Sequence, residues 1–393
     1  MKAIITAILG IIIFFSDLSA QNSIDNVLQE VEKNNTSLQA IKKQTEADKI
    51  ANYTGIYLKN PEVEFNYLFG NPALIGNRTD FSVMQTFDFP TAYSHKNSIA
   101  NLQNQQSDIE YQKMLNDLRI QTRLIIVDLV YLNALQNEYT KRLFHAQSIA
   151  NSYKLKMEKG EANILEYNKA QLNLLNLRKE SESIEIQRQA SLSELATLNG
   201  GIAIAFNDSV YFQKPIPADF EQWYVQAEAG SPVLAWVKKE IEISMSEEKL
   251  SSAMTLPKIS TGYMSENVVG QQFQGLSVGI SIPLWENKNT VKYVKAKTIA
   301  LQSMETDKKL QLYNQLKILH TKAISLQKTA DEYKIMLKSY DNSSLLEKAF
   351  TKGEISLSEY YFDISMYYES MNKMLETERD LNKTITLLNQ YSN

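Results

Sequence analysis

The sequence predicts a mainly α-helical chain with a small β part, in which long antiparallel coiled-coil helices and four strands form an internal two-fold repeat. Three observations predict it. Four stretches of about ten residues alternate apolar and polar side chains, the period of a strand. Two runs of over a hundred residues, from Thr91 to Asn199 and from Trp285 to Asn393, hold no proline and one glycine each, Gly160 and Gly353. The same phrases also recur in the same order, from Pro61, Phe81 and Gly160 to Pro257, Leu276 and Gly353. A repeat of that length defines the architectural unit before any local motif does.

Residues 1–20 read as a secretory signal peptide. Lys2 gives the positive start, Ala3 to Phe15 the apolar core, and Ser16 to Ala20 a polar stretch ending in a small residue. An uncleaved anchor is the competing reading, and the apolar run is short for a span. The chain has no cysteine, which excludes disulfides, thiolate metal sites, a thiol nucleophile and a lipid-modified cysteine. A net charge of −4, with no Lys/Arg cluster interleaved with aromatics, gives no support for nucleic-acid binding.

The first repeat is expected over residues 21–200. It opens with an amphipathic helix from Ile24 to about Ile56, where Ile24, Val27, Leu28, Val31, Leu38 and Ile41 share a face. A strand pair follows at 61–70 and 80–90, then a helical hairpin with its tip near residue 160. Residues 201–222 form an inter-repeat segment. The second repeat, 223–393, begins with a helix from about Trp223 to Ala253, continues with strands 257–266 and 274–285, and ends in a hairpin with its tip near residue 353. Asn71 to Asp80 and Glu266 to Gln274 carry the residues that turn the two strand pairs.

Val63, Phe65, Tyr67 and Phe69 lie opposite Glu62, Glu64 and Asn66. Leu276, Val278, Ile280, Ile282 and Leu284 lie opposite Ser277, Gly279 and Ser281. A half-buried soluble sheet alternates in this way, and so does a transmembrane barrel wall, whose tilted strands run about 9–11 residues. An exported chain without a spanning helix crosses a membrane only as a closed barrel. Four strands do not close one, since about eight are needed. Strands that span therefore require several copies, a homo-oligomer.

The helical runs carry most of the mass. A continuous helix from Ile99 to Glu158 extends roughly 90 Å at 1.5 Å per residue. Leu312, Leu319, Leu326, Tyr333 and Tyr340 recur every seven residues, with Leu316, Ala323, Ala330 and Leu337 at the complementary position. That is coiled-coil spacing. Leu118, Ile125, Leu132 and Tyr139 give a looser version in the first half. Gly160 and Gly353 mark the reversals, since glycine is costly inside a helix and suited to its C-terminal end.

No catalytic constellation stands out, and no enzyme activity is expected. His95, His145 and His320 lack partners at metal-ligand spacing, and no H-E-x-x-H, P-loop or G-x-S-x-G phrase occurs. Met366, Met371 and Met374 lie close together on the last helix, where methionine as core filler is the commoner use. No metal site and no cofactor are assigned.

The ordered set of phrases resembles the TolC-like outer-membrane efflux family over essentially the whole mature chain. It is carried by Asn60 to Phe65 (NPEVEF), Gln85 to Pro90 (QTFDFP), Gly160 to Gln171 (GEANILEYNKAQ), Phe273 to Leu284 (FQGLSVGISIPL) and Gly353 to Tyr360 (GEISLSEY). The QTFDFP phrase and short strands look most like the heavy-metal branch. The resemblance implies a homotrimer whose twelve strands form one β-barrel in outer-membrane lipid, with the helices continuing as a periplasmic helical barrel in a Gram-negative cell. It implies as partners a periplasmic adaptor (membrane fusion protein) and an inner-membrane pump of the resistance-nodulation-division type. Lys159, Gly160 and Glu161, with Lys352, Gly353 and Glu354, match the tips that meet the adaptor. Glu359 and Asp363 fall where the family often places acidic gate residues; Ala170 stands at the first-repeat position matching Asp363. A periplasmic coiled-coil scaffold or an adaptor protein is the alternative, although an adaptor carries one hairpin, not two.

Overall fold

The four alternating stretches form one antiparallel sheet in the order β1-β2-β3-β4, with β1 Glu62–Leu68, β2 Arg78–Phe87, β3 Lys258–Val268 and β4 Gln271–Ser281. A computed structural model describes residues 24–212 and 214–391, so the expected signal peptide, 1–20, lies outside the described residues. The helices are α1 (24–34), α2 Thr36–Ala51, α3 Pro90–Glu158, α4 Ile164–Leu198, α5 Phe220–Ala229, α6 Pro232–Ala253, α7 Thr290–Ser339, α8 Ser343–Thr351 and α9 Leu357–Leu388.

Four boundaries differ from the sequence expectation, each for a local reason. The helix expected over 24–56 breaks at Asn35, whose Oδ1 accepts the Leu38 N–H at 2.7 Å and caps α2. The helix expected from Trp223 to Ala253 breaks at Gly230, where Ser231 caps α6 and Pro232 occupies its first position. The second long run breaks at residues 340–342, where Asp341 Oδ1 accepts the Ser343 N–H at 3.1 Å. Finally, β4 stops at Ser281, short of residue 285, while β3 and β4 run further than expected toward their turn and are joined by Val269 and Gly270 alone. Their φ values of 47° and 82° fit a two-residue turn with both centres left-handed.

The chain divides into two compact units, and these cut across the expected repeats. One comprises residues up to 39, 114–228 and from 312 onward; the other comprises 40–113 and 229–311. In the second unit the sheet is accompanied by helical segments linked in series. Lys49 of α2 pairs with Asp108 of α3 at 2.6 Å, and Gln106 of α3 donates to Glu240 of α6 at 2.8 Å. Ser244 of α6 meets Thr298 of α7 at 2.8 Å in a buried contact beside Val237, Ile241 and Leu301.

In the first unit the heptad positions are buried or half-buried on α7 as far as Leu337, and the pattern ends at Tyr340, which is exposed at the break before α8. Leu312, Leu316, Ala323 and Ala330 are buried on α7, and Ala323 packs against Leu381 and Ile385 of α9. On α3 the stripe is longer than the sequence expectation: Ile125, Leu132, Tyr139, Ala146 and Tyr153 are all buried. Leu132, Leu135 and Tyr139 meet Ile184 of α4 and Leu375 of α9. The segment between α4 and α5 is pinned by Phe206, buried among Val31, Leu129 and Leu195, and by the Tyr211 hydroxyl, which donates to the Val127 carbonyl at 3.1 Å.

Candidate functional site

The apolar face of the sheet is uncovered. Register aligns Val63, Val83, Tyr263 and Leu276 in one row across all four strands, so these side chains share a face. Leu276 is 89% exposed, and Phe65, Val278 and Ile280 on the outer strands are also exposed. A contiguous exposed apolar patch of this kind marks an interaction surface, for another protein or for a membrane. The alternate residues of β4, Ser277, Gly279 and Ser281, are small or polar, as on the lumen side of a membrane barrel. The outer strands β1 and β4 each pair on one side only. Among the described residues, no helix is long and apolar enough to cross a membrane.

The two tips have the same local geometry. At the first, Gly160 has φ 76°, its N–H donates to Met157 O, and the Glu161 N–H reaches back to Lys156 O at 2.8 Å. At the second, Gly353 has φ 75°, with Gly353 N–H to Phe350 O and Glu354 N–H to Ala349 O at 2.8 Å. Both are helix ends closed by a left-handed residue, which glycine adopts without strain. Two residues later a capping box starts the next helix, Asn163 with Glu166 and Ser356 with Glu359. Lys159, Gly160, Glu161, Lys352, Gly353 and Glu354 are all exposed.

The two candidate gate residues have different surroundings. Glu359 accepts the Ser356 backbone N–H at 2.7 Å, and this bond holds its carboxyl below the usual range. Asp363, one turn on and exposed, has a carboxylate with no hydrogen bond or ion pair among the described residues. It lines a groove of about 890 Å³ with Tyr333, Met336, Tyr340, Leu346 and Met366, at the break between α7 and α8. Sequence-aligned positions on α4 and α9 bury different faces. Ala170 is fully buried where Asp363 is exposed, and α9 turns Tyr360 and Ile364 inward instead. Near the same tip, Phe350 stacks on Tyr360 at 4.8 Å and on Tyr153 at 6.2 Å, joining α8 to α9 and α3.

Of the three histidines only His320 is buried. Its Nε2 lies 2.7 Å from Pro217 O, and His145 Nδ1 lies 3.8 Å from Glu347. Among the described residues no His/Cys/Asp/Glu group suited to a metal ion occurs. The sequence reading missed Arg142, a buried guanidinium three residues after Tyr139 on the α3 stripe. A charged residue at an inward heptad position was the available signal.

No protein-family model and no curated protein matches the sequence significantly. Solved structures do match. The outer-membrane channel OprN aligns at TM-score 0.77 and 9% identity, over 94% of this chain and 89% of that one. The Campylobacter jejuni CmeC outer membrane channel aligns at 0.74 and 13% identity, over 94% and 85%. CusC, studied for its folding and transmembrane channel formation, aligns at 0.76 and 13% identity, over 94% and 92%. The chain has the fold of these outer-membrane channels.

Proposed function

We propose that this chain is one subunit of a homotrimeric, TolC-like outer-membrane channel in a tripartite efflux system. The channel passes metal ions or drugs delivered by an inner-membrane pump of the resistance-nodulation-division type through a periplasmic adaptor. The observation that carries this reading is the sheet: four strands with an uncovered apolar face and two unpaired edges. Such strands are stable in lipid only when copies join edge to edge into a closed wall. Three copies supply twelve strands. Unpartnered apolar positions on the helices support assembly too, since Leu165, Leu172, Leu175 and Ile186 form an exposed stripe on α4 at coiled-coil spacing.

In this reading the exposed tips around Gly160 and Gly353 are the adaptor contacts. Asp363 is the carboxylate facing the pore near the second tip, and Glu359 supports it by fixing the start of α9. The fold shared with outer-membrane channels supports the channel over the scaffold alternative. The test is direct: extract the mature chain from outer membranes in detergent, measure its mass, and reconstitute it in a planar bilayer. A trimer with discrete conductance steps is expected. A monomer that stays soluble without detergent and conducts nothing sinks the proposal.

A further inference from the structure

Arg142 is 3% exposed, and no other lysine or arginine among the described residues is buried to that degree. Its guanidinium carbon stacks 4.7 Å from the Tyr139 ring centre and 4.3 Å from that of Tyr368. Nη2 donates to Asn372 Oδ1 at 2.9 Å and to the Tyr368 carbonyl at 3.4 Å. No carboxylate bonds to it: Glu138 acts on its charge from a distance while paired with Lys141 at 2.6 Å, and Glu347 lies beside His145. Arginine keeps its charge in proteins, so this is a buried cation held by π faces and neutral oxygens, an arrangement that costs heavily without a counter-charge.

Beside it lies a cavity of about 50 Å³, lined by residues that include Arg142, His145, Asn173, Tyr361 and Ser365. Four buried side-chain polar atoms among the described residues lack a hydrogen-bond partner, and two of them, Arg142 Nε and the Tyr361 hydroxyl, belong to this lining. Asn173 bears on the Tyr361 oxygen without ordinary hydrogen-bond geometry, which leaves the O–H free to donate. Nε–H is a donor only, and the hydroxyl has a proton to give. A water needs roughly 10–15 Å³ of such space, so the cavity has room for one small ion.

We propose that this cavity binds a small inorganic anion of halide size, which accepts from Arg142 Nε–H and Tyr361 O–H and neutralises the buried guanidinium. Burial raises the Tyr361 hydroxyl to about 12, so it stays a donor at any physiological pH. The anion ties α3 and α4 to α9 near the tips. The site is independent of the channel reading, since it rests on side chains inside one compact unit.

Bromide-soaked crystals of the mature wild-type chain test it. An anomalous peak in the cavity, within contact of Arg142 Nε, is expected. In detergent solution, replacing gluconate with chloride at constant ionic strength should raise the wild-type Tm. Tyr361→Phe removes one donor, keeps the ring, and should raise the half-saturating chloride concentration about tenfold, the loss of one charge-assisted bond. Absence of the peak together with a chloride-independent Tm means an ordered water only and overturns the proposal. A Tyr361→Phe chain with the wild-type chloride response overturns it as well.

Discussion

Ser356 and Glu359 hold each other: the Ser356 N–H donates to Glu359 Oε2 at 2.7 Å while the Glu359 N–H donates to Ser356 Oγ at 3.2 Å. Asn163 and Glu166 do the same at the other tip, at 3.3 and 2.9 Å. A carboxylate that reads as a gate residue in the sequence is thus also the cap of the helix carrying the next candidate, Asp363.

Glu359→Gln should therefore loosen the first turn of α9, seen as faster amide exchange at residues 357–360, with little change in channel conductance. The pH behaviour has a defined sign. The Glu359 carboxyl is lowered in the folded chain by the Ser356 backbone bond, so the charged cap is fully present above its unfolded value and is lost as pH falls through the lower folded value. Protection of the tip amides, measured relative to their intrinsic exchange rates, should fall only under acid conditions, below the ordinary carboxylate range.

Asp363→Ala should act on transport instead. In a planar bilayer we expect larger conductance and weaker block by multivalent cations than in the wild type. Unchanged conductance and unchanged block in this variant remove Asp363 as a gate residue.

The sheet gives a face-specific prediction. Leu276→Arg places a charge on the uncovered apolar face, at a cost of about 2–4 kcal/mol near a bilayer midplane. It should abolish recovery in the outer-membrane fraction. Ser277→Arg, one residue on and on the opposite face, should be recovered there at near wild-type level. Equal loss in both variants contradicts a lipid-facing surface.

Ala323 is fully buried against Leu381 and Ile385. Ala323→Leu overfills that contact and should cost about 1–3 kcal/mol, read as a lower Tm of the detergent-purified protein. Leu326, only partly buried, should tolerate Met with little change.

At the tips a Cβ on Gly353 meets no heavy atom within 4 Å, so space does not forbid a side chain there. The φ of 75° does penalise one. Gly353→Ala should cost about 1–2 kcal/mol from left-handed strain alone. Cross-linking of the variant to the proposed adaptor, compared with that of Gly160→Ala, tests whether either tip is the contact inferred above.

Much of this molecule was legible because its elements are long and their periods simple. Val63, Phe65 and Tyr67, or Leu276, Val278 and Ile280, can only alternate as strands, and Ala323 and Ala330 announce a close helix contact. The breaks were harder to see. The interruption at Tyr340, Asp341 and Asn342 contains no glycine or proline, and only the run of Asp, Asn and Ser hinted that side chains would compete for backbone N–H groups. Residues 266–274 looked like a loop because they are polar, whereas most continue the hairpin and only Val269 and Gly270 turn it. The Glu359 cap depends on a reciprocal bond three residues apart, which the Ser356-x-x-Glu359 spacing did carry. The Arg142 cavity was beyond reach, since it is assembled from α3, α4 and α9.

The open edges of β1 and β4 also bear on how such a chain is made. Pro61 and Pro283 flank these outer strands, but neither strand contains a proline or a bulge that would discourage pairing. In the proposed trimer each chain, until its edges are joined, is a template for wrong partners as much as right ones. The yield of correct trimer should then depend on how quickly copies join edge to edge.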